Sequence, residues 1–197
     1  MFMTSFYLDL LDILKPENKE EADLLAIPEV QDGLRWGLPR YGHPEGEVFK
    51  HVREVLDNID QVKLSHEDRS LLRLAAIIHD TFKYIEPKGS PRDWSKHHSI
   101  LAAQFMEKRM VNPSLIKIIT WHDEAYYIWR MIYPYQQPVQ GQNRLDKLLS
   151  LLQSDLQLYY IFFKCDTSTG DKNSAPLKWF EKSVGDINLI PDFNFGY

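Results

Sequence analysis

The stretch LRLAAIIHDTFKY, residues 72–84, decides the fold. Six apolar residues and a single arginine run directly into His79 and Asp80, with Lys83 one turn further on. A segment apolar on nearly every side is a helix for the middle of a core. Upstream, SHEDRSLL supplies its start, with Ser65 and Asp68 in capping-box register and Asp in place of the usual Glu. The buried helix thus ends by placing an imidazole and a carboxylate side by side. Neighbouring side chains on a helix point about 100° apart, so anything held by both must sit near the helix end.

Working outward, helical periodicity recurs along the chain. TSFYLDLLDILK (4–15) closes at Pro16, and EEADLLAI (20–27) follows from an acidic start. GEVFKHVREVLDNID (46–60) sets Val48, Val52, Val55, Leu56 and Ile59 on one stripe. SKHHSILAAQFMEKRM (95–110) is expected to begin with Ser95 as N-cap, and NPSLIKIITWHDEAYYIWRMIY (112–133) with Asn112 and Pro113. NRLDKLLSLLQSDLQLYYIFFKCD (143–166) is the longest pattern, followed by PLKWFEKSV (176–184) and an aromatic tail. No segment alternates as a strand does. The segments 37–46, 87–92 and 134–141 read as loops. The expectation is an all-α fold, a single domain over 1–197.

With one cysteine, Cys165, no internal disulfide is possible, which fits a reducing cytoplasm. No stretch reaches the length and apolarity of a membrane span, and the N-terminus lacks the pattern of a signal peptide. A net charge of −5 argues against an extended grip on a nucleic-acid backbone, so phosphate recognition, if present, is local.

The histidines fall at 43, 51, 66, 79, 97, 98 and 122. His66 sits in a polar first turn and reads as exposed. His51 shares the stripe of Val48 and Val55, His79 follows Leu72, Ala75 and Ala76, and His122 follows Ile118 and Ile119. Each projects toward an apolar interior. Unpaired imidazoles are costly there, and several converging with a carboxylate are compensated by sharing a divalent cation.

These elements resemble the HD-domain metal-dependent phosphohydrolases. The matching segments are VFKHVREV with His51, AAIIHDTFK with His79 and Asp80, HHSILAAQF with His98, IITWHDE with His122 and FFKCDTSTG with Asp166, over roughly residues 40–170. The resemblance implies an all-helical bundle with a metal site between helices. It also implies one or two divalent ions held by His51, His79, Asp80, His98, His122 and Asp166. GHPEGEVFKHV is also similar to the HD domain of some CCA-adding tRNA nucleotidyltransferases, which brings nucleotide phosphoesters into view as substrates.

Within that resemblance, His98 is favoured over His97 because the family's small-residue step fits Ala102 and Ala103 only from His98. His97 then becomes a solvent-side residue or a substrate contact. Asp166 is favoured over Asp155 because it ends the apolar run, and Asp155 is left as a partner for a ligand imidazole. Asp123 stands where some relatives carry a second histidine. Phe82 departs from the small residue many relatives have, and either narrows the pocket or packs outward.

The implied chemistry is attack on phosphorus by metal-activated water, with Asp80 as bridging ligand and catalytic carboxylate. The donor set suits Mn, Fe, Co, Ni or Zn better than Mg. Lys83 is the candidate catalytic cation and phosphate contact, with a helix-end charge as its plainer role. Arg92 and Lys96 are further phosphate candidates, and Arg40 and His43 stand before the first metal helix. The expected partner is a phosphorylated small molecule, a nucleotide first among them, and the aromatic clusters leave a homodimer open. A non-catalytic, metal-stabilised nucleotide-binding or regulatory module is the alternative to an enzyme.

Overall fold

The computed structural model describes residues 9–39, 44 and 46–194. Among these the chain is helical and contains no strand, so the all-α expectation holds. The N-terminal helices α1 (Leu10–Leu14), α2 (Lys19–Leu25) and α3 (Pro28–Leu34) precede α4 (Val48–Asp60) and α5 (His66–Ile78). After α5 a 3-10 turn, Thr81–Tyr84, redirects the chain, and a second, Trp94–Lys96, leads into α6 (His98–Glu107). There follow α7 (Pro113–Trp121), α8 (Glu124–Ile132), α9 (Pro138–Leu152), α10 (Leu156–Thr167) and α11 (Ala175–Ser183).

Helix α5 is the axis of the bundle, packed against α2, α4, α7 and α10. Leu71 to Ile78 are all buried, the all-round burial that its composition dictates. Ser65 caps it by accepting the Asp68 N–H and donating to the Asp68 carboxylate. Just beyond its end, α3 crosses at Gly33, where a Cβ would lie 1.9 Å from the Thr81 carbonyl oxygen. Only glycine permits that approach, which braces the turn carrying His79 and Asp80.

Three helix boundaries differ from the sequence reading. Ser95 lies inside the 3-10 turn; the N-cap of α6 is His97, whose Nδ1 accepts the Ser99 N–H. The pattern over 112–133 breaks at His122–Asp123 into α7 and α8. The pattern over 143–166 starts earlier, at Pro138, and breaks at Gln153, whose φ of 46° ends α9 before α10 resumes. In the last two cases apolar periodicity continues across the break, so periodicity alone runs two helices together.

Candidate metal centre

Four imidazoles meet where α4, α5, α6 and α7 approach one another. His51 comes from within α4, His98 opens α6, and His79 and His122 occupy the C-caps of α5 and α7. All four are buried.

Their outward nitrogens fix their chemistry. His79 Nδ1 lies 2.9 Å from the Ala76 carbonyl and His122 Nδ1 lies 2.8 Å from the Ile119 carbonyl. A carbonyl only accepts, so both Nδ1 atoms carry hydrogen. His98 Nδ1 donates to Glu86 Oε2 at 3.0 Å. Thr169 Oγ1 spends its hydrogen on the Asp166 carbonyl and so accepts from His51 Nδ1 at 3.2 Å. Each ring therefore directs Nε2 inward, the arrangement by which outer partners orient metal-binding histidines.

The inward nitrogens form two groups. His51 Nε2 and His79 Nε2 are 3.3 Å apart, with Asp166 Oδ1 at 3.0 Å from the first and 3.7 Å from the second. His98 Nε2 and His122 Nε2 are also 3.3 Å apart, with Asp123 Oδ2 at 3.3 and 3.6 Å. Asp80 stands between the groups. Its Oδ2 is 3.8 and 3.6 Å from His51 and His79, and its Oδ1 is 3.3 and 3.6 Å from His98 and His122. Donors on a common ion, at bonds of about 2.1 Å, lie about 3.0–3.4 Å apart. Among the described residues, Asp80 Oδ1 is the buried side-chain oxygen left without a hydrogen bond. Closely facing ring nitrogens and an unmet carboxylate oxygen fit a divalent cation, and the buried His and Asp groups are placed to hold one.

The electrostatics make the same demand. Burial pushes His51 down, to about 4, so its ring is neutral at ordinary pH. Burial also depresses His98, but the carboxylates of Asp123, Asp80 and Glu86 around it outweigh burial and hold that ring up at about 10. Burial raises Asp80 and Asp166, yet Lys83 beside the first and Lys172 beside the second keep both carboxyls well below their usual range. Lys83 Nζ bonds Asp80 Oδ2, and Lys172 Nζ lies 3.0 Å from Asp166 Oδ1. Ionised carboxylates therefore line the centre.

The remaining predicted residues are distributed around this centre. His97 is buried, not on the solvent side. Because its Nδ1 accepts the Ser99 N–H, its Nε2 carries the hydrogen and donates to the Tyr127 hydroxyl at 3.1 Å, leaving no lone pair for an ion. The grouping of Glu86, His97 and His98 is accordingly support, with Glu86 bound by Lys88 and Arg92. Asp155 is remote from the imidazoles: it joins Ser114 and Lys117, which corrects its reading as a partner of a ligand ring. Phe82 packs outward from the centre, against Tyr84 and Phe105. Arg92 binds Glu86 and Tyr127, and Lys96 is exposed beside Asp93. Arg40 and His43 lie outside the described residues.

A cavity of about 360 Å³ opens onto the donors, with Asp80, Asp123 and Asp166 in its wall beside Lys83, Lys172 and Tyr126. Glu86, Thr169 and Lys172 escaped the sequence reading, and Asp123 was noted there without a donor role. A signal for Asp123 was present, since WHDE at 121–124 repeats the His-Asp pair of IHDT at 78–81.

Comparison with curated proteins and with solved structures finds no match. A family model for the HD domain matches residues 48–151, more than half of the chain, and the span contains His51, His79, Asp80, His98, His122 and Asp123. Asp166 lies beyond it and joins the centre through the fold. The all-helical bundle, the paired His79–Asp80 at its axis and this match agree: the chain belongs to the HD-domain family.

Proposed function

We propose that the chain is a metal-dependent phosphohydrolase that cleaves a phosphoester of a nucleotide or nucleotide-like substrate. The HD-domain family is generally one of metal-dependent hydrolases. The observation that carries the proposal is the pair of donor groups sharing Asp80 beneath a cavity that also holds two lysines. Such donors suit two divalent ions, which when bound lower the pKa of water toward neutrality and polarise phosphoryl oxygens.

The chain's own residues divide the remaining work. His51, His79 and Asp166 would hold one ion and His98, His122 and Asp123 the other, with Asp80 placed between the two groups. Glu86 and Thr169 hold the outer nitrogens of His98 and His51 and so fix which nitrogen faces inward. Lys83 and Lys172 are the cations an entering phosphoryl group meets, at charge-assisted hydrogen-bonding range of the same carboxylates. Asp123, with 27% of its side chain exposed against 5% for Asp80, is the carboxylate of the two nearer to solvent.

The test is turnover of p-nitrophenyl phosphate and its bis-ester by protein stripped with chelator and reloaded with Mn, Fe, Co, Ni, Zn or Mg. Release of p-nitrophenol that requires the added metal is expected. Tight metal binding with no turnover of either ester or of a nucleotide panel would instead indicate the non-catalytic module.

A further inference from the structure

A second cavity, of about 380 Å³, lies against the donor group of α6 and α7 on the side of the Trp94–Lys96 turn. Its walls are aromatic: Trp94, Trp121 and Tyr127. Trp94 is 51% exposed, yet its ring is fixed. It stacks on His97 at 5.6 Å and 24°, meets Tyr127 edge-on at 5.4 Å, and carries the Arg92 guanidinium 4.9 Å from its centroid. An indole with half its surface open to water in a cavity wall offers apolar area against which a flat ring can pack.

The cavity's chemistry is not purely apolar. Arg144 is committed to Glu124, whereas Lys147, also in the wall, makes no ion pair among the described residues. The cavity adjoins the centre through Asp123, which borders both cavities and whose Oδ2 is 3.3 Å from His98 Nε2. A molecule with its phosphoryl group at the donors and a flat ring beside Asp123 would occupy both at once.

We infer that this aromatic cavity is the subsite for the ring of the phosphoester, a planar heterocycle with acceptor atoms on its edge, of the nucleobase class. The ring would lie against Trp94 with its acceptor edge toward Lys147. The inference rests on reading the metal centre as a phosphoryl site. It adds that affinity beyond the phosphate comes from stacking at Trp94, which tolerates any base because every base has a π-face.

The experiment measures binding to the Mn-loaded full chain by titration calorimetry. The probes are the 5′-methylenephosphonates of adenosine and uridine, whose P–C bonds resist hydrolysis, and methylphosphonate, which has no ring. At least one nucleoside probe should bind about tenfold or more tightly than methylphosphonate. Trp94→Ala should remove most of that margin and Lys147→Glu part of it, with methylphosphonate affinity unchanged in both. No margin in the natural chain, or a margin untouched by both substitutions, overturns the ring subsite and leaves the phosphoryl site standing. If methylphosphonate and the nucleoside probes all fail to bind, the phosphoryl reading falls and the subsite with it.

Discussion

Helix α5 carries two buried ionic groups, and they behave differently. Around Arg73, 1% exposed, every guanidinium nitrogen has a partner. Nε and Nη2 bind the fully buried Glu21 carboxylate at 3.0–3.2 Å, Nη2 also donates to the Lys15 carbonyl, and Nη1 reaches Asp60 and Glu17. At the end of the same helix, His79 and Asp80 enter a cluster in which ring nitrogens face each other and Asp80 Oδ1 has no hydrogen-bond donor among the described residues. The first group is closed and balanced by protein alone. The second is placed to hold a cation. Burial of charge is common to both; what separates structure from site is whether the hydrogen bonding is complete.

The comparison can be broken at either end. Arg73→Met leaves Glu21 buried and unpaired, so urea unfolding should show a loss of about 3–5 kcal/mol. Metal content per folded chain should stay unchanged. A coupled loss of metal would mean that the two groups are not separate.

Asp80→Ala acts on the other group. Metal-dependent release of p-nitrophenol should fall by more than about a hundredfold, since the residue shared by both donor groups is gone and partners outside the ligand shell already cost about 10–100-fold. Retained turnover in this variant would remove Asp80 from the centre.

Glu86→Gln sharpens the boundary of the site. Glu86 touches His98 Nδ1 but faces away from the inward nitrogens. Competition with a chelator should report metal affinity lower by about 10–100-fold with the fold intact. Unaltered affinity would make Glu86 part of the packing only.

Proton linkage gives a smaller and graded effect. The His98 pKa is raised from 6.5 to about 10, so its protonated form stabilises the ion-free fold fully below about pH 6.5, and that contribution is lost as the pH rises through about 10. A bound cation must displace that proton. Metal affinity should therefore weaken by about tenfold for each unit the pH falls below about 10, with proton release on loading detectable by calorimetry in buffers of different ionisation enthalpy. Loading without proton release would show that His98 is neutral in the ion-free chain.

How much of this was legible in the sequence follows from what each residue depends on. His51, His79 and His122 lie on apolar stripes, and a stripe fixes the face of a helix without any knowledge of its neighbours. Geometry brings these three to Asp80 together with His98 and Asp166, the residues the family resemblance supplied. Asp123 was noted beside His122, where some relatives carry a second histidine, but given no ligand role, and 112–133 reads as one continuous helix. The break at His122 turns Asp123 toward His98 instead. Glu86, Thr169 and Lys172 sit in connections, where no period exists to read. His97 was misplaced because its role as N-cap follows from where α6 starts, and Ser95 offered an equally good start by residue type.

The most direct measurement is the metal stoichiometry of the chain by elemental analysis, after chelation and reloading with Mn or Fe. Two donor groups sharing Asp80 predict a value approaching two ions per chain, falling to one in His122→Ala with helicity unchanged. Saturation at one ion in the natural chain, with His122→Ala binding that ion equally well, would contradict the shared centre.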